Sequence, residues 1–223
     1  MQDGERFGPD YCAILLAAGY SRRFGADKLL SPLDDGLPIG VKSALGLQAV
    51  FRHVVAVVNP QASVLAQLYR AMGLDVVTNA FAHQGMGLSL ATGVAHTPGR
   101  KGWVIALADM PFIQAASIRK VVEALAGGAL LAAPVYQGRR GHPVGFALRF
   151  EDELLALHED KGAGGIVQHY PQHLQLLAVN DPGVLQDVDT PFTTASPSPT
   201  AAIPKPETPT VPLPARQTRP FPH

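Results

Sequence analysis

Cysteine is nearly absent: Cys12 is the only one in 223 residues. That excludes a disulfide framework and any zinc site built from several thiolates, and leaves Cys12 as a small buried hydrophobe. Charge of one sign is missing too. Lys+Arg 18 against Asp+Glu 18 gives a formal net charge of zero, and charged residues make up only 16% of the chain. A protein built to coat nucleic acid or an anionic membrane carries a basic excess, so neither partner is expected. Long hydrophobic runs are also lacking. The longest, at residues 12–18 and 129–135, fall far short of the ~20 apolar residues that span a bilayer. The opening MQDGERFGPD is polar and acidic, the wrong chemistry for a signal peptide. These absences predict a soluble, cytoplasmic protein.

What is present is a large apolar fraction, 47%, which is ample for a packed core. The length suits one domain with an appendage. Residues 1–10 read as a flexible N-terminus, 11–193 as the folded domain and 194–223 as a proline-rich disordered tail. In 196–223, 9 of 28 residues are proline, which removes backbone donors and bars helix interiors and central strands. A docking ligand is the other reading of that tail.

Within the body, apolar runs at 12–18, 53–58, 74–77, 104–108, 130–133 and 174–179 predict strands. Several are apolar on consecutive residues, as suits strands buried on both faces of a parallel sheet. Helical spacing fills 41–51, 62–72, 88–95, 114–125 and 151–158, with Gly73 and Gly127 as helix stops. Strand and helix in alternation predict βαβ units in a three-layer, Rossmann-like α/β fold with a mostly parallel sheet. In such sheets ligands sit beyond the C-terminal strand ends, so the residues that follow each strand carry the functional interest.

After the first strand come Gly19-Tyr20-Ser21-Arg22-Arg23-Phe24-Gly25-Ala26-Asp27-Lys28. Two glycines, a hydroxyl and three cations suit a triphosphate: glycines admit backbone N–H groups close to an anion, and cations neutralise it. The spacing is neither the P-loop G-x-x-x-x-G-K-[ST] nor the dinucleotide G-x-G-x-x-G. A basic surface turn is the alternative. Asp109, just past the strand at 104–108, is a hard carboxylate of the kind that takes Mg²⁺ together with substrate phosphates. Its alternative role is to cap the next helix. Asp189, with Asp187 two residues before it, is the candidate second carboxylate, and helix capping is again the alternative. Gly85 opens a turn into a helix bearing Ser89, whose N-terminal amides suit a base or a phosphate. Arg139, Arg140 and His142 lie in a glycine-bounded turn. There an Arg could grip an anionic acceptor or simply stand in solvent.

These residues carry a family resemblance. Leu16-Ala17-Ala18-Gly19-x-Ser21-x-Arg23-x-Gly25-x-x-Lys28 resembles the signature loop of the nucleotidyltransferases that activate cofactors and sugars with an NTP. It is most similar to that of the molybdenum cofactor cytidylyltransferases. Four further segments agree in order: Gly85-Met86-Gly87-Leu88-Ser89-Leu90, Leu107-Ala108-Asp109-Met110-Pro111, the G-x-x-G-H-P of residues 138–143, and Asp187-Val188-Asp189-Thr190-Pro191. In the last, Phe192-Thr193-Thr194-Ala195 leads into the proline tail where the family usually continues with acidic residues and a helix.

The resemblance implies a GT-A-like nucleotidyltransferase fold that transfers CMP from CTP to the phosphate of a molybdopterin-type acceptor. It implies a nucleotide held by Leu16, Ala17, Ala18, Gly19, Ser21, Arg23, Lys28, Gly85 and Ser89. Arg23, Lys28 and Asp109 would be the catalytic residues, Asp109 and Asp189 the ligands of Mg²⁺, and Arg140 and His142 acceptor contacts. Related guanylyltransferases read L-A-G-G and G-P-L-A-G where this chain has Leu-Ala-Ala-Gly and Gly-Met-Gly-Leu-Ser-Leu, so CTP is favoured over GTP. The alternatives are a guanylyltransferase, a sugar-phosphate cytidylyltransferase, or a non-catalytic cofactor carrier for a partner molybdoenzyme. Length and neutral charge fit a monomer.

Overall fold

A computed structural model describes residues 6–20, 28–158 and 162–188, all within one compact unit, Met1–Phe192. Ser21, Arg23, Asp189, the first five residues and the tail lie outside the described residues.

Strand β1 (Tyr11–Ala17) lies at the centre of the sheet, with β2 (Val54–Val58) and then β3 (Asp75–Thr78) on one side and β4 (Gly102–Leu107) on the other. All four are parallel. Beyond β4 the sheet becomes mixed. β7 (Val144–Ala147) runs antiparallel to β4 and to β5 (Leu131–Tyr136), while β8 (Leu174–Ala178) runs parallel to β5. Leu131 and Ala132 pair with β7 and β8 at once, so β8 lies on the far side of β5. The two-residue β6 (Arg139–Arg140) pairs with the end of β5. The turn expected at 138–144 is thus two strand pieces, β6 and β7, separated by Gly141, His142 and a cis-linked Pro143.

Every residue of β2 is buried and β1 is nearly so, which requires a helical layer on each face. Ala13, Leu15 and Ala17 of β1 face one way. They join Leu47 of α1 (Ile39–Gln48), Leu65 and Tyr69 of α2 (Ser63–Ala71), and Val121 and Leu125 of α4 (Ala115–Ala126). Cys12 and Ile14 face the other way, with Leu90 and Val94 of α3 (Met86–Ala95), Leu154 of α5 (Glu151–Leu155) and Ile166 and Val167 of α6 (Gly164–His169). Trp103 is fully buried in this second core, and its indole N–H donates to Thr97 Oγ1 at 2.8 Å. Burial pushes the Cys12 thiol up to about 12, which leaves it protonated and inert, as a core hydrophobe should be.

Gly73 does end α2 with a left-handed φ of 83°. After α4 Gly127 is the C-cap, as expected, and the left-handed residue is Gly128 at φ 98°. Among the described residues no helix is long and apolar enough to cross a membrane.

Candidate active site

The strand order itself marks the site. From β1 the chain moves outward through β2 to β3, then crosses back to place β4 on β1's other side. The crevice beyond the C-terminal ends of β1 and β4 is therefore a topological switch point, where open α/β sheets bind ligands. The two motif-bearing loops meet there. Leu16 and Ala17 are still strand, in register with Leu107 and Val58, and the Ala108 N–H donates to the Leu16 carbonyl at 3.1 Å. Ala18, Gly19 and Asp109 lie just beyond.

Lys28 opens a short 3-10 turn on the far side of the first loop, and its Nζ lies 2.9 Å from Asp109 Oδ2. The lysine side chain is 11% exposed and the carboxylate 31%, so the pair is sheltered yet open to a ligand. Ser43 on α1 donates to the Ala108 carbonyl at 2.8 Å and fixes the start of the Asp109 turn from below.

A second segment closes on the same turn. Residues 181–188 run antiparallel to 109–114 and touch it at three places. Asp181, 2% exposed, accepts from the Gln114 N–H at 2.9 Å and the Ser117 hydroxyl at 2.7 Å. Gly183 packs so tightly on Phe112 that a Cβ there would lie 2.1 Å from the Phe112 carbonyl oxygen. The Val188 N–H donates to the Asp109 carbonyl at 2.9 Å. On its other side the strap accepts the His142 N–H at the Val184 carbonyl, 2.9 Å, and a Cβ on Gly141 would come within 2.3 Å of that oxygen. Two segments far apart in sequence, the 138–143 motif and Asp187-Val188, thus reach Asp109 through one strap.

The strand ends on the β2–β3 side carry polar groups that sequence reasoning missed. Asn59, directly after β2, donates to the Ala18 carbonyl at 3.4 Å. Asn79, directly after β3 and 4% exposed, accepts the Phe81 N–H at 2.9 Å and donates to Ser89 Oγ at 3.0 Å. Because one amide oxygen is engaged by a backbone N–H, the Asn79 NH₂ must face Ser89, and Ser89 must accept. The available signal was an asparagine at the C-terminal end of each strand, Asn59 after Val54–Val58 and Asn79 after Asp75–Thr78, since buried amides require partners. Ser89, 3% exposed, sits in the first turn of α3, which Gly85 enters with φ 133°. Met86 in that turn meets Gly162, where a Cβ would lie 3.3 Å from the Met86 sulfur.

On the opposite side, Arg139 and Arg140 are exposed in β6, while the His142 ring is half-buried. Burial, reinforced by Arg140, holds the His142 imidazole below its ordinary range, against the opposing pull of Asp109 and Asp187. His53, at the other end of the sheet, is depressed by burial and by Arg100. A histidine depressed in the folded state binds fewer protons than in the unfolded chain, so stability is fully present above about pH 6.5 and declines as pH falls below it. Urea melts between about pH 5 and about pH 8 should show this slope, and His53→Gln should flatten it.

Residues 13–175 match the MobA-like NTP transferase domain. The chain belongs to the MobA-like NTP transferases. It is 31% identical to the purine catabolism protein PucB of Bacillus subtilis over 196 residues, covering 82% of this chain and 93% of PucB. The crystal structure of Rv0371c from Mycobacterium tuberculosis superposes with TM-score 0.69 at 32% identity, over 81% of this chain and 93% of that one. A second Rv0371c structure, a complex with manganese, gives TM-score 0.65 at 27% identity, over 76% and 88%. As a MobA-like transferase the protein is a nucleotidyltransferase that binds a nucleotide.

This chain's residues fit a divalent cation. Among the described residues no three His, Cys, Asp or Glu side chains are grouped to hold a metal alone. Asp109 instead offers a hard, partly open carboxylate at the switch point, with Asp187 on the adjoining strap. That is the arrangement Mg²⁺ uses when substrate phosphates and waters complete its shell.

Proposed function

We propose that the protein transfers CMP from CTP to the phosphate of molybdopterin, with Mg²⁺ as the metal. The observation that carries the reading is the 2.9 Å contact between Lys28 and Asp109 at the switch point. It joins a triphosphate-type loop to a metal-type carboxylate. An oxygen of the acceptor phosphate attacks the α-phosphorus of CTP; a new P–O–P bond forms, the bond to the β-phosphate oxygen breaks, and pyrophosphate leaves. The attacking phosphate is already ionised, so no general base is needed, and catalysis is a matter of positioning and charge. Asp109 and Asp189 would hold the Mg²⁺, which would supply charge neutralisation for the reacting phosphates.

The chain's own residues divide the work. Backbone amides around Gly19, with Ser21, Arg23 and Lys28, hold the triphosphate. Gly85 and Ser89 approach the base, and Arg140 and His142 face the acceptor. CTP is favoured by Ala18 within Leu-Ala-Ala-Gly and by Gly-Met-Gly-Leu-Ser-Leu at 85–90. In this reading residues 11–193 form a cytoplasmic, monomeric enzyme whose product is taken up by a partner molybdoenzyme.

Pyrophosphate release should be measured with Mg²⁺ and each of CTP, GTP, ATP and UTP, with and without molybdenum-loaded molybdopterin. Release with CTP alone, and only with the acceptor, is expected. Release with GTP would keep the loop roles and overturn the base assignment. Silence with all four nucleotides would favour a cofactor carrier.

A further inference from the structure

Asp181 is the most deeply buried acid of the described body, and no catalytic role reaches it. Its carboxylate accepts three hydrogen bonds: the Gln114 N–H and the Ser117 hydroxyl on Oδ2, and the Gly183 N–H at 2.9 Å on Oδ1. A carboxylate at 2% exposure persists only when its lone pairs are satisfied in this way. What those bonds join is more telling than their number. Gln114 and Ser117 begin α4, at the far end of the turn that Asp109 starts, whereas Gly183 belongs to the strap. Asp181 thus fastens the strap to one end of the Asp109 turn, and the Val188 N–H fastens it to the other. Between the two anchors Gly183 leaves no slack against Phe112, nor Gly141 against Val184. The strap carries Asp187, one residue before the Val188 anchor. The strap's position therefore sets how far the Asp187 carboxylate stands from Asp109.

We infer that Asp181 is a positioning residue of the metal site: by clamping the strap to the α4 N-terminus it fixes the separation between Asp109 and Asp187. The inference rests on the reading of Asp109 as a metal ligand, with Asp187 as the carboxylate that the strap brings beside it. Asp181 itself touches neither metal nor substrate. Its substitution acts by letting the strap drift, which weakens a site built of two carboxylates more than one built of phosphates and backbone amides.

The test is Mn²⁺ alone, titrated into the full-length protein with the free ion read by its EPR signal, alongside thermal melts and the KM for CTP. Asp181→Asn keeps the acceptor toward Gly183 but turns a donor toward the Gln114 N–H. Ser117→Ala removes one bond at the same carboxylate and perturbs the fold less. Expected are a weakening of Mn²⁺ binding by about tenfold or more in Asp181→Asn, and by a few fold in Ser117→Ala. The KM for CTP at saturating metal should stay within about twofold of the parent. Mn²⁺ binding unchanged in folded Asp181→Asn would overturn the inference, and if that variant does not fold, unchanged binding in Ser117→Ala does so. Failure of the metal reading itself looks different: the parent protein would show no Mn²⁺ site, or Asp109→Asn would bind Mn²⁺ as tightly as the parent.

Discussion

Asp109→Asn is expected to lower turnover with CTP and acceptor by about 10³-fold or more while leaving the melting temperature nearly unchanged. In the proposed mechanism the carboxylate offers a negative, hard oxygen to the metal beside the reacting phosphates, and an amide of the same shape offers a far weaker ligand. Losing several kcal/mol of transition-state charge stabilisation corresponds to that fall, at about 1.4 kcal/mol per tenfold. Stability should hold for two reasons. The Asp109 side chain is 31% exposed, and the amide oxygen of an asparagine there still accepts from Lys28 Nζ. Also, the Asp109 carbonyl that receives the Val188 N–H is backbone and survives the substitution. Initial rates at saturating CTP, with calorimetry on the same sample, check both parts. Activity within about tenfold of the parent would remove Asp109 from the catalytic centre.

Asn79→Asp should raise the KM for CTP by about 10- to 100-fold, the range expected when a buried hydrogen-bonding group is turned the wrong way. The side chain keeps its size and still accepts the Phe81 N–H. What reverses is the bond to Ser89: the amide donates to Ser89 Oγ at 3.0 Å, whereas a carboxylate must accept, drawing the hydroxyl proton inward and away from a ligand. Maximal turnover should change little, because Asn79 stands at the end of β3 and the reacting phosphates belong at β1 and β4. Ser89→Ala should raise the KM similarly, and the double variant should be no worse than either alone. Additive losses would mean that the two residues act independently.

The sequence by itself determined the β-α alternation and the helical layers. Runs such as Val-Val-Ala-Val-Val at 54–58 and Ala-Ile-Leu-Leu-Ala at 13–17 are apolar on every residue, and only a strand covered on both faces satisfies them. It also marked the first loop and Asp109 as candidates, because glycine, cations and a hard acid directly after buried strands suit a triphosphate and its metal. Those features are local, and periodicity and composition record them. Tertiary structure alone decided the antiparallel insertion of β7 between β4 and β5, since Val144–Ala147 is four residues long and its direction depends on partners about 40 and 13 residues away. It alone decided that Asn59 joins the Ala18 carbonyl and Asn79 joins Ser89, for an amide's importance lies in where its hydrogen bonds go. The strap was likewise invisible in the sequence. Asp181, Gly183 and Gly141 look like ordinary loop residues until Gln114, Phe112 and Val184 are folded against them, because close packing and a buried carboxylate's partners are long-range facts that no spacing along the chain encodes.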